Sequence, residues 1–191
     1  METVEIKLQL WDIINLKVFQ SRPEQILIGG SVLFLFYDLN DPSTLDKLDA
    51  FIPIIAEFKT DHLHTIYLIG NKVDEESNVD GDIIKKKMNI WKKQLELDIT
   101  HIQSTSKQQI PYQSPGDICD KAMKKIASYT LMNVSSGSTL IYKAVLLGEK
   151  GTGKSTFALV ASGKPFDYDR TSYLGPDFYV RTSKFSLEEL T

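Results

Sequence analysis

Residues 148–155 of this 191-residue chain read Gly-Glu-Lys-Gly-Thr-Gly-Lys-Ser, a pattern that suits phosphate binding. Glycines at these spacings let backbone N–H groups close around phosphate oxygens. Lys154 and the helix predicted at 154–162 add positive charge, and Ser155 is placed to bind Mg²⁺. The apolar segment 140–147 predicts the buried strand that such a loop follows. We therefore predict a nucleotide phosphate site, a P-loop, late in the chain.

A second motif, Asn71-Lys72-Val73-Asp74, comes directly after the buried strand predicted at 64–70. A carboxylate at its fourth position can accept hydrogen bonds from the N1–H and 2-amino groups of guanine, whereas adenine offers no such donor pair. The stem of Lys72 can cover the face of the ring. Such a tetrapeptide also occurs by chance in turns, but beside a P-loop in one domain it indicates a guanine nucleotide.

Strands and helices alternate along the chain, which predicts an α/β fold with a mostly parallel sheet and helices on both faces. Strands are predicted where apolar residues alternate with polar ones or run continuously, and Pro53 should bend or shorten the first long helix. The predicted strands lie at 4–11, 31–37, 64–70, 98–103, 140–147 and 177–185, and the helices at 41–58, 82–96, 117–131 and 154–162.

The helix predicted at 82–96 is amphipathic. The lysines at 85–87, 92 and 93 could suggest phosphate binding, but on an amphipathic helix such a run is typical of a solvated face. The apolar side is expected to consist of Ile83, Ile84, Met88, Trp91 and Leu95.

The composition is that of one ordinary globular domain, with 42% hydrophobic and 25% charged residues. The net charge of −3 gives no electrostatic reason to expect nucleic-acid binding. The single cysteine, Cys119, excludes an internal disulfide and is expected to be buried in the core. Because no apolar run is long enough to span a bilayer and the N-terminus lacks signal-peptide character, a soluble, intracellular protein is expected.

Taken together, the motifs resemble a Ras-superfamily small GTPase, closest to the Rab branch, written in circularly permuted order. The resemblance implies a P-loop NTPase three-layer sandwich with a six-stranded, mostly parallel sheet. It covers nearly the whole chain, and its specificity comes from the combined spacing of the motifs. In chain order these are Leu10-Trp11-Asp12, Tyr37-Asp38, Asn71-Lys72-Val73-Asp74, Ser104-Thr105-Ser106-Lys107, the P-loop and Gly175-Pro176-Asp177-Phe178.

The permuted order implies one domain over residues 1–191, made of residues 1–132, a connector at 133–139, and the P-loop half at 140–191. Residues 132–139 can span at most roughly 26 Å, which should suffice to join the last helix of the family fold to its first strand. The Ser-Ser-Gly-Ser stretch suits either a natural loop or an engineered joint. A third alternative is a piece of a tandem protein, with half of one domain followed by half of the next.

The resemblance implies a role for each matching residue. Phe166 stands twelve residues after Lys154, the family spacing for the aromatic residue beside the base, and Asp12 would hold Mg²⁺ through a water, with Ser155 as the direct ligand. The implied phosphate-binding residues are Gly148, Lys150, Gly151, Thr152, Gly153, Lys154, Ser155 and Thr156. The implied guanine-binding residues are Asn71, Lys72, Asp74, Thr105, Ser106, Lys107 and Phe166.

The chain departs from the family at the residues that serve hydrolysis. After Trp-Asp the family continues Thr-Ala-Gly-Gln, but this chain has Ile13-Ile14-Asn15-Leu16, so the glutamine that orients water is Leu16. The switch I threonine aligns with Tyr173, and Thr171 or Ser172 could replace it only if the loop shifts. Lys150 adds bulk where an arginine finger would approach. These departures predict GTP binding with very slow hydrolysis and weak switching.

Two other functions remain open at this point. One is an active, slow GTPase whose water is oriented by another side chain or a partner. The other is a P-loop kinase or ATPase, against which Asn71 to Asp74 argue. The resemblance also implies protein effectors or regulators and a role in vesicle traffic. With no cysteine near the end of the sequence for prenylation, the protein is expected to be cytoplasmic, with membrane association through partners.

Overall fold

The computed structural model describes residues 2–75, 77–107, 112–130, 135–166 and 177–190. Its strands are β1 (Thr3–Asp12), β2 (Gly30–Asp38), β3 (Thr65–Asn71), β4 (Ile99–Gln103), β5 (Thr139–Gly148) and β6 (Asp177–Ser186). Its α-helices are α1 (Leu16–Ser21), α2 (Pro23–Leu27), α3 (Pro42–Asp46), α4 (Ile52–Phe58), α5 (Gly81–Leu95), α6 (Pro115–Thr130) and α7 (Lys154–Ala161), with 3-10 turns at Lys47–Ala50 and Leu187–Glu189.

The strands form one six-stranded sheet in the order β4-β3-β2-β5-β1-β6. All neighbouring strands are parallel except β1 and β6, which are antiparallel. The strand before the P-loop, β5, therefore lies between β2 and β1. Because β1, β2, β3, β4 and β5 run in the same direction, the loops that follow them meet at one edge of the sheet.

Helices cover both faces of the sheet, as the alternation of elements predicted. All residues of β2 and β3 are buried, which explains their continuous apolar sequences. One core includes Phe157 of α7 and Met123 and Cys119 of α6. The other includes Phe19 of α1 and Trp91 of α5. The prediction that Cys119 is buried is confirmed, since its exposed fraction is 0%.

The structure corrects three details of the predicted elements. The helix predicted at 41–58 is divided into α3, a 3-10 turn and α4, and Pro53 lies in the first turn of α4, where its missing N–H is harmless. Ile83 was expected on the buried side of α5 but is 49% exposed, because it lies about 100° around the helix from Ile84, which is buried. The short helices α1 and α2 were not predicted.

The predicted connector passes beside the start of β1. Residues 135–138 form a turn closed by a hydrogen bond from Ser138 N to Ser135 O at 3.2 Å. Gly137 N donates to Thr3 O at 2.9 Å, and Glu5 N donates to Ser138 O at 3.0 Å. The turn therefore leads β5 directly into its place alongside β1; residues 131–134 lie outside the described part of the chain.

Candidate nucleotide site

The predicted site residues lie at or just after the ends of four of the five parallel strands. Asp12 ends β1, Asn71 ends β3, and the P-loop follows β5. The segment that begins at Ser104 follows β4. The strand order thus brings the predicted phosphate and guanine segments to the same edge of the sheet, although they are far apart in sequence.

The P-loop backbone requires glycine at two crowded positions. Gly148 has a φ of +145°, and a Cβ there would lie 2.4 Å from Phe36 O on the neighbouring strand. Gly153 has a φ of +89°, and its Cβ would lie 2.1 Å from Asn71 Nδ2. Both backbone conformations disfavour any other residue. The loop therefore packs tightly against β2 and against the end of β3.

Lys154, the first residue of α7, is bent back over the P-loop. Its Nζ donates to Gly148 O at 2.9 Å and to Glu149 O at 2.8 Å, and only 4% of the residue is exposed. Burial lowers the pKa of Lys154 to about 8, against the opposing effect of the negative charges of Asp12 and Glu149. The ammonium group thus lies inside the loop, at the N-terminus of the helix.

Asp12 and Ser155, the two predicted magnesium ligands, are in direct contact. Ser155 Oγ donates a hydrogen bond to Asp12 Oδ2, and Asp12 is 3% exposed. These residues come from β1 and the first turn of α7, which are 143 positions apart in sequence. A carboxylate and a hydroxyl are hard oxygen ligands of the kind that Mg²⁺ prefers. The pair is therefore chemically suited to the predicted ion.

Asn71 connects the guanine segment to the P-loop. Its Nδ2 donates to Thr152 O at 2.9 Å, across 81 positions of sequence. The Asn71 Oδ1 atom is buried and has no hydrogen-bond donor among the described residues. An unmatched buried acceptor costs about 1–3 kcal/mol. One side of the amide thus braces the P-loop, while its other side remains able to accept a hydrogen bond.

Asp74 is held by the loop that follows β4. Thr105 Oγ1 donates to Asp74 Oδ1 at 2.5 Å, and Lys107 Nζ donates to Asp74 Oδ2 at 2.7 Å. Burial alone raises the pKa of Asp74, but the hydrogen bonds from Lys107 and Thr105 together bring that pKa below its usual value. The carboxylate is therefore kept charged and oriented. The two predicted guanine segments, 71–74 and 104–107, form one cluster.

Lys72 contacts Asp38, a residue with no predicted role. Its Nζ donates to Asp38 Oδ2 at 2.5 Å, at the end of β2. The signal that could have identified Asp38 is a carboxylate at the end of a central parallel strand, beside the strand that carries the motif.

The remaining predicted residues occupy varied positions. Ser106 is buried, and Thr156 and Phe166 are half-buried, whereas Lys150 is exposed on the P-loop. The predictions for Thr171, Ser172, Tyr173, Gly175 and Pro176 fall outside the described residues.

Asn15 and Leu16, predicted to stand where the family has Gly-Gln, have structural roles. Asn15 caps α1, because its side chain accepts a hydrogen bond from Val18 N at 3.1 Å. Leu16 is the first residue of α1 and packs against the core that contains Phe19. Both side chains are thus engaged in the start of this helix.

Within the described ranges, no helix is long and apolar enough to cross a membrane. The same part of the chain contains no group of three or more His, Cys, Asp or Glu side chains arranged to hold a metal ion.

Comparisons with known proteins agree on one family. The family model described as Ras, Ras family, matches residues 1–124. Human Ras-related protein Rab-26 is 31% identical over 74 residues, which are 39% of this chain and 28% of that protein. Ras-related protein Rab-18 of Lymnaea stagnalis is 30% identical over 74 residues, 39% of this chain and 37% of that protein. Human GTP-binding protein GEM is 34% identical over 79 residues, 41% of this chain and 26% of that protein.

These alignments cover only 26% to 37% of the length of each relative. The family model, however, matches well over half of this chain, and the sheet and site described above agree with it. The chain therefore belongs to the Ras family and forms a Ras-like small GTPase domain.

Proposed function

We propose that this domain binds GDP and GTP together with Mg²⁺. The observation that carries the proposal is the hydrogen bond between Asn71 and Thr152, because it joins the base segment to the phosphate segment at one edge of the sheet. Further support comes from the name of one relative, GTP-binding protein GEM. The P-loop amides and Lys154 are proposed to bind the phosphates of the nucleotide.

Asp74 is proposed to select guanine. Its two oxygens can each accept a second hydrogen bond besides those from Thr105 and Lys107. The N1–H and 2-amino groups of guanine supply the two donors, and the lowered pKa of Asp74 keeps the carboxylate an acceptor. Adenine would leave these oxygens without new donors. The stem of Lys72 and the ring of Phe166 are proposed to contact the base.

Ser155 and Asp12 are proposed to hold Mg²⁺, Ser155 directly and Asp12 through a water. The described protein residues offer too few charged ligands for a closed metal site, which suits an ion that takes its other ligands from nucleotide phosphates and water. The ion would neutralise phosphate charge. The residues of the chain would position the phosphates around it.

Hydrolysis is proposed to be very slow, so that the domain acts as a nucleotide-bound interaction module. Support comes from Leu16, which is apolar, partly buried and packed against the core, and from Asn15, whose side-chain oxygen caps α1. Single-turnover hydrolysis of GTP should be slower than about 10⁻⁴ s⁻¹. A faster rate in the purified protein would contradict the proposal, and acceleration by cell extract would favour the alternative of partner-assisted turnover.

We also propose that the chain is circularly permuted relative to the family order. Support comes from β5, which pairs in parallel with both β1 and β2, and from the pairing of Thr3 with Ser186. A reordered chain that starts at β5, joins Ser186 to Thr3 by a short turn and is opened within 131–138 should keep the same nucleotide affinity. Loss of binding by a folded reordered chain would contradict this proposal.

The cellular role is proposed from the likeness to Rab proteins alone. It consists of a cytoplasmic location, membrane association through partners, protein effectors and a part in vesicle traffic.

The first test is to identify the nucleotide that co-purifies with the protein, by denaturation and ion-exchange chromatography. The proposal predicts GTP or GDP at about one per chain. Lys154→Ala should carry none, whereas the control Lys164→Ala, beyond α7, should carry as much as wild type. Tight nucleotide binding by Lys154→Ala would contradict the assignment of the site.

A further inference from the structure

Asp38 is buried at the edge of the sheet where the proposed nucleotide site lies. It is the last residue of β2, lies opposite Asn71 in the sheet register, and is 7% exposed. Its Oδ2 accepts the hydrogen bond from Lys72 Nζ, and its Oδ1 accepts from Asn40 N at 2.9 Å and from Asn40 Nδ2 at 3.2 Å. Both carboxylate oxygens are thus fixed, one by a turn of its own chain and the other by Lys72.

Lys72 needs a partner that holds its side chain in one conformation. Its φ of +63° is uncommon for a residue other than glycine. Its flexible side chain loses rotamer entropy when it is held in one conformation. The side chain of Asp38 in this pair is 10% exposed and that of Lys72 is 35% exposed. The pair is therefore better shielded from water than an ordinary surface ion pair.

The backbone around Lys72 is attached to the same turn. Leu39 N donates to Asn71 O at 3.1 Å, and Asn78 N donates to Leu39 O at 2.9 Å. Asn40 Nδ2 also lies 3.4 Å from Lys72 O. The turn after β2 thus holds Asn71 and Asn78, one on each side of Lys72 in the sequence, and Asp38 holds the side chain of Lys72.

We infer that Asp38 is a positioning residue for the purine site, which acts by holding the stem of Lys72 where the base must pack. This inference rests on the proposed function. Asp38 does not touch the nucleotide; it reduces the number of conformations that Lys72 loses when the base binds. Its removal should therefore weaken binding through Lys72 alone.

The test is a double-mutant cycle read by the dissociation rate of a fluorescent GDP analogue. Asp38→Asn should release the nucleotide about tenfold faster, because the charge that fixes Lys72 is lost. Lys72→Met should also release it faster, and Asp38→Asn should add nothing in the Lys72→Met background. Asp38→Glu, which keeps the charge, should be slower than Asp38→Asn.

The matched control is Asp41→Asn, three residues later. Asp41 caps α3 by accepting from Ser43 N at 3.0 Å rather than by fixing Lys72, so the release rate of this variant should stay that of wild type. Equal release by Asp38→Asn and wild type would overturn the inference, as would additive effects in the double variant. If wild type does not bind the GDP analogue at all, it is the proposed function that fails.

Discussion

Gly153→Ala should destabilise the domain more than the same change at another glycine with the same backbone conformation. Gly153 has a φ of +89°, where alanine costs roughly 1–2 kcal/mol. An added Cβ would lie 2.1 Å from Asn71 Nδ2, whereas ordinary contact begins at 3.4 Å, so the amide must retreat by more than 1 Å. That movement breaks its hydrogen bond to Thr152 O. Leaving those buried groups unpaired adds about 1–3 kcal/mol, which brings the expected loss to about 2–5 kcal/mol.

Gly163 provides the matched control. Its φ is +88°, and a Cβ there would meet nothing within 4 Å, so Gly163→Ala should cost only the backbone strain, roughly 1–2 kcal/mol. The free energy of unfolding is measured by urea denaturation of the nucleotide-free proteins, because bound nucleotide would itself shift stability.

A double-mutant cycle with Asn71→Ala tests whether the Asn71 amide is the group that clashes with the added Cβ. In an Asn71→Ala background the Cβ added by Gly153→Ala meets no amide, so this substitution should cost about as much as Gly163→Ala. If Gly153→Ala lowers the free energy of unfolding no more than Gly163→Ala does in the wild-type background, no clash with Asn71 exists. If Gly153→Ala still lowers the free energy of unfolding more than Gly163→Ala after Asn71→Ala, the clashing group is not the Asn71 amide.

Three further predictions concern residues outside the proposed site. The thiol of Cys119 is fully buried and burial raises its pKa, so a thiol reagent should modify it only at the rate of unfolding; rapid labelling of the native protein would contradict this. Arg181→Lys should lower the free energy of unfolding, measured by urea denaturation, by about 1–3 kcal/mol, because lysine cannot reproduce the paired hydrogen bonds from Arg181 Nε and Nη2 to Asp120. An unchanged midpoint would show that these hydrogen bonds are dispensable. His101 forms a hydrogen bond with Tyr37 OH at 2.8 Å, and burial lowers the pKa of His101, so the unfolded chain binds a proton at this residue more readily than the folded one. The free energy of unfolding should therefore fall as the pH drops below about 6.5. His101→Gln should remove that part of the decline.

Much of the fold could be predicted from the sequence because its strands are strongly marked. The central strands β2 and β3 are buried on both faces, and their continuous apolar runs follow from that burial. The helices α1 and α2 could not be predicted, because they have only six and five residues, too few for a helical period to be visible. Their stability comes from tertiary contacts such as that of Phe19 with Phe51.

The residues of the candidate site could be predicted, but most of their partners could not. The P-loop and the Asn71 to Asp74 motif depend on local sequence and are visible in it. The contacts of Asn71 with Thr152, and of Lys72 with Asp38, join segments 81 and 34 positions apart. These contacts depend on the strand order and on side-chain conformations, which no local pattern specifies.

Selection of a guanine nucleotide at this edge of the sheet is tested by competition between nucleotides. A fluorescent GDP analogue bound in the presence of Mg²⁺ is displaced with GDP, IDP or ADP, using wild type and Asp74→Ala. GDP should compete at least about 10³-fold better than ADP, and IDP, which lacks the 2-amino group, should be intermediate. Asp74→Ala should lose these differences. Equal competition by GDP and ADP in the wild-type protein would contradict the account.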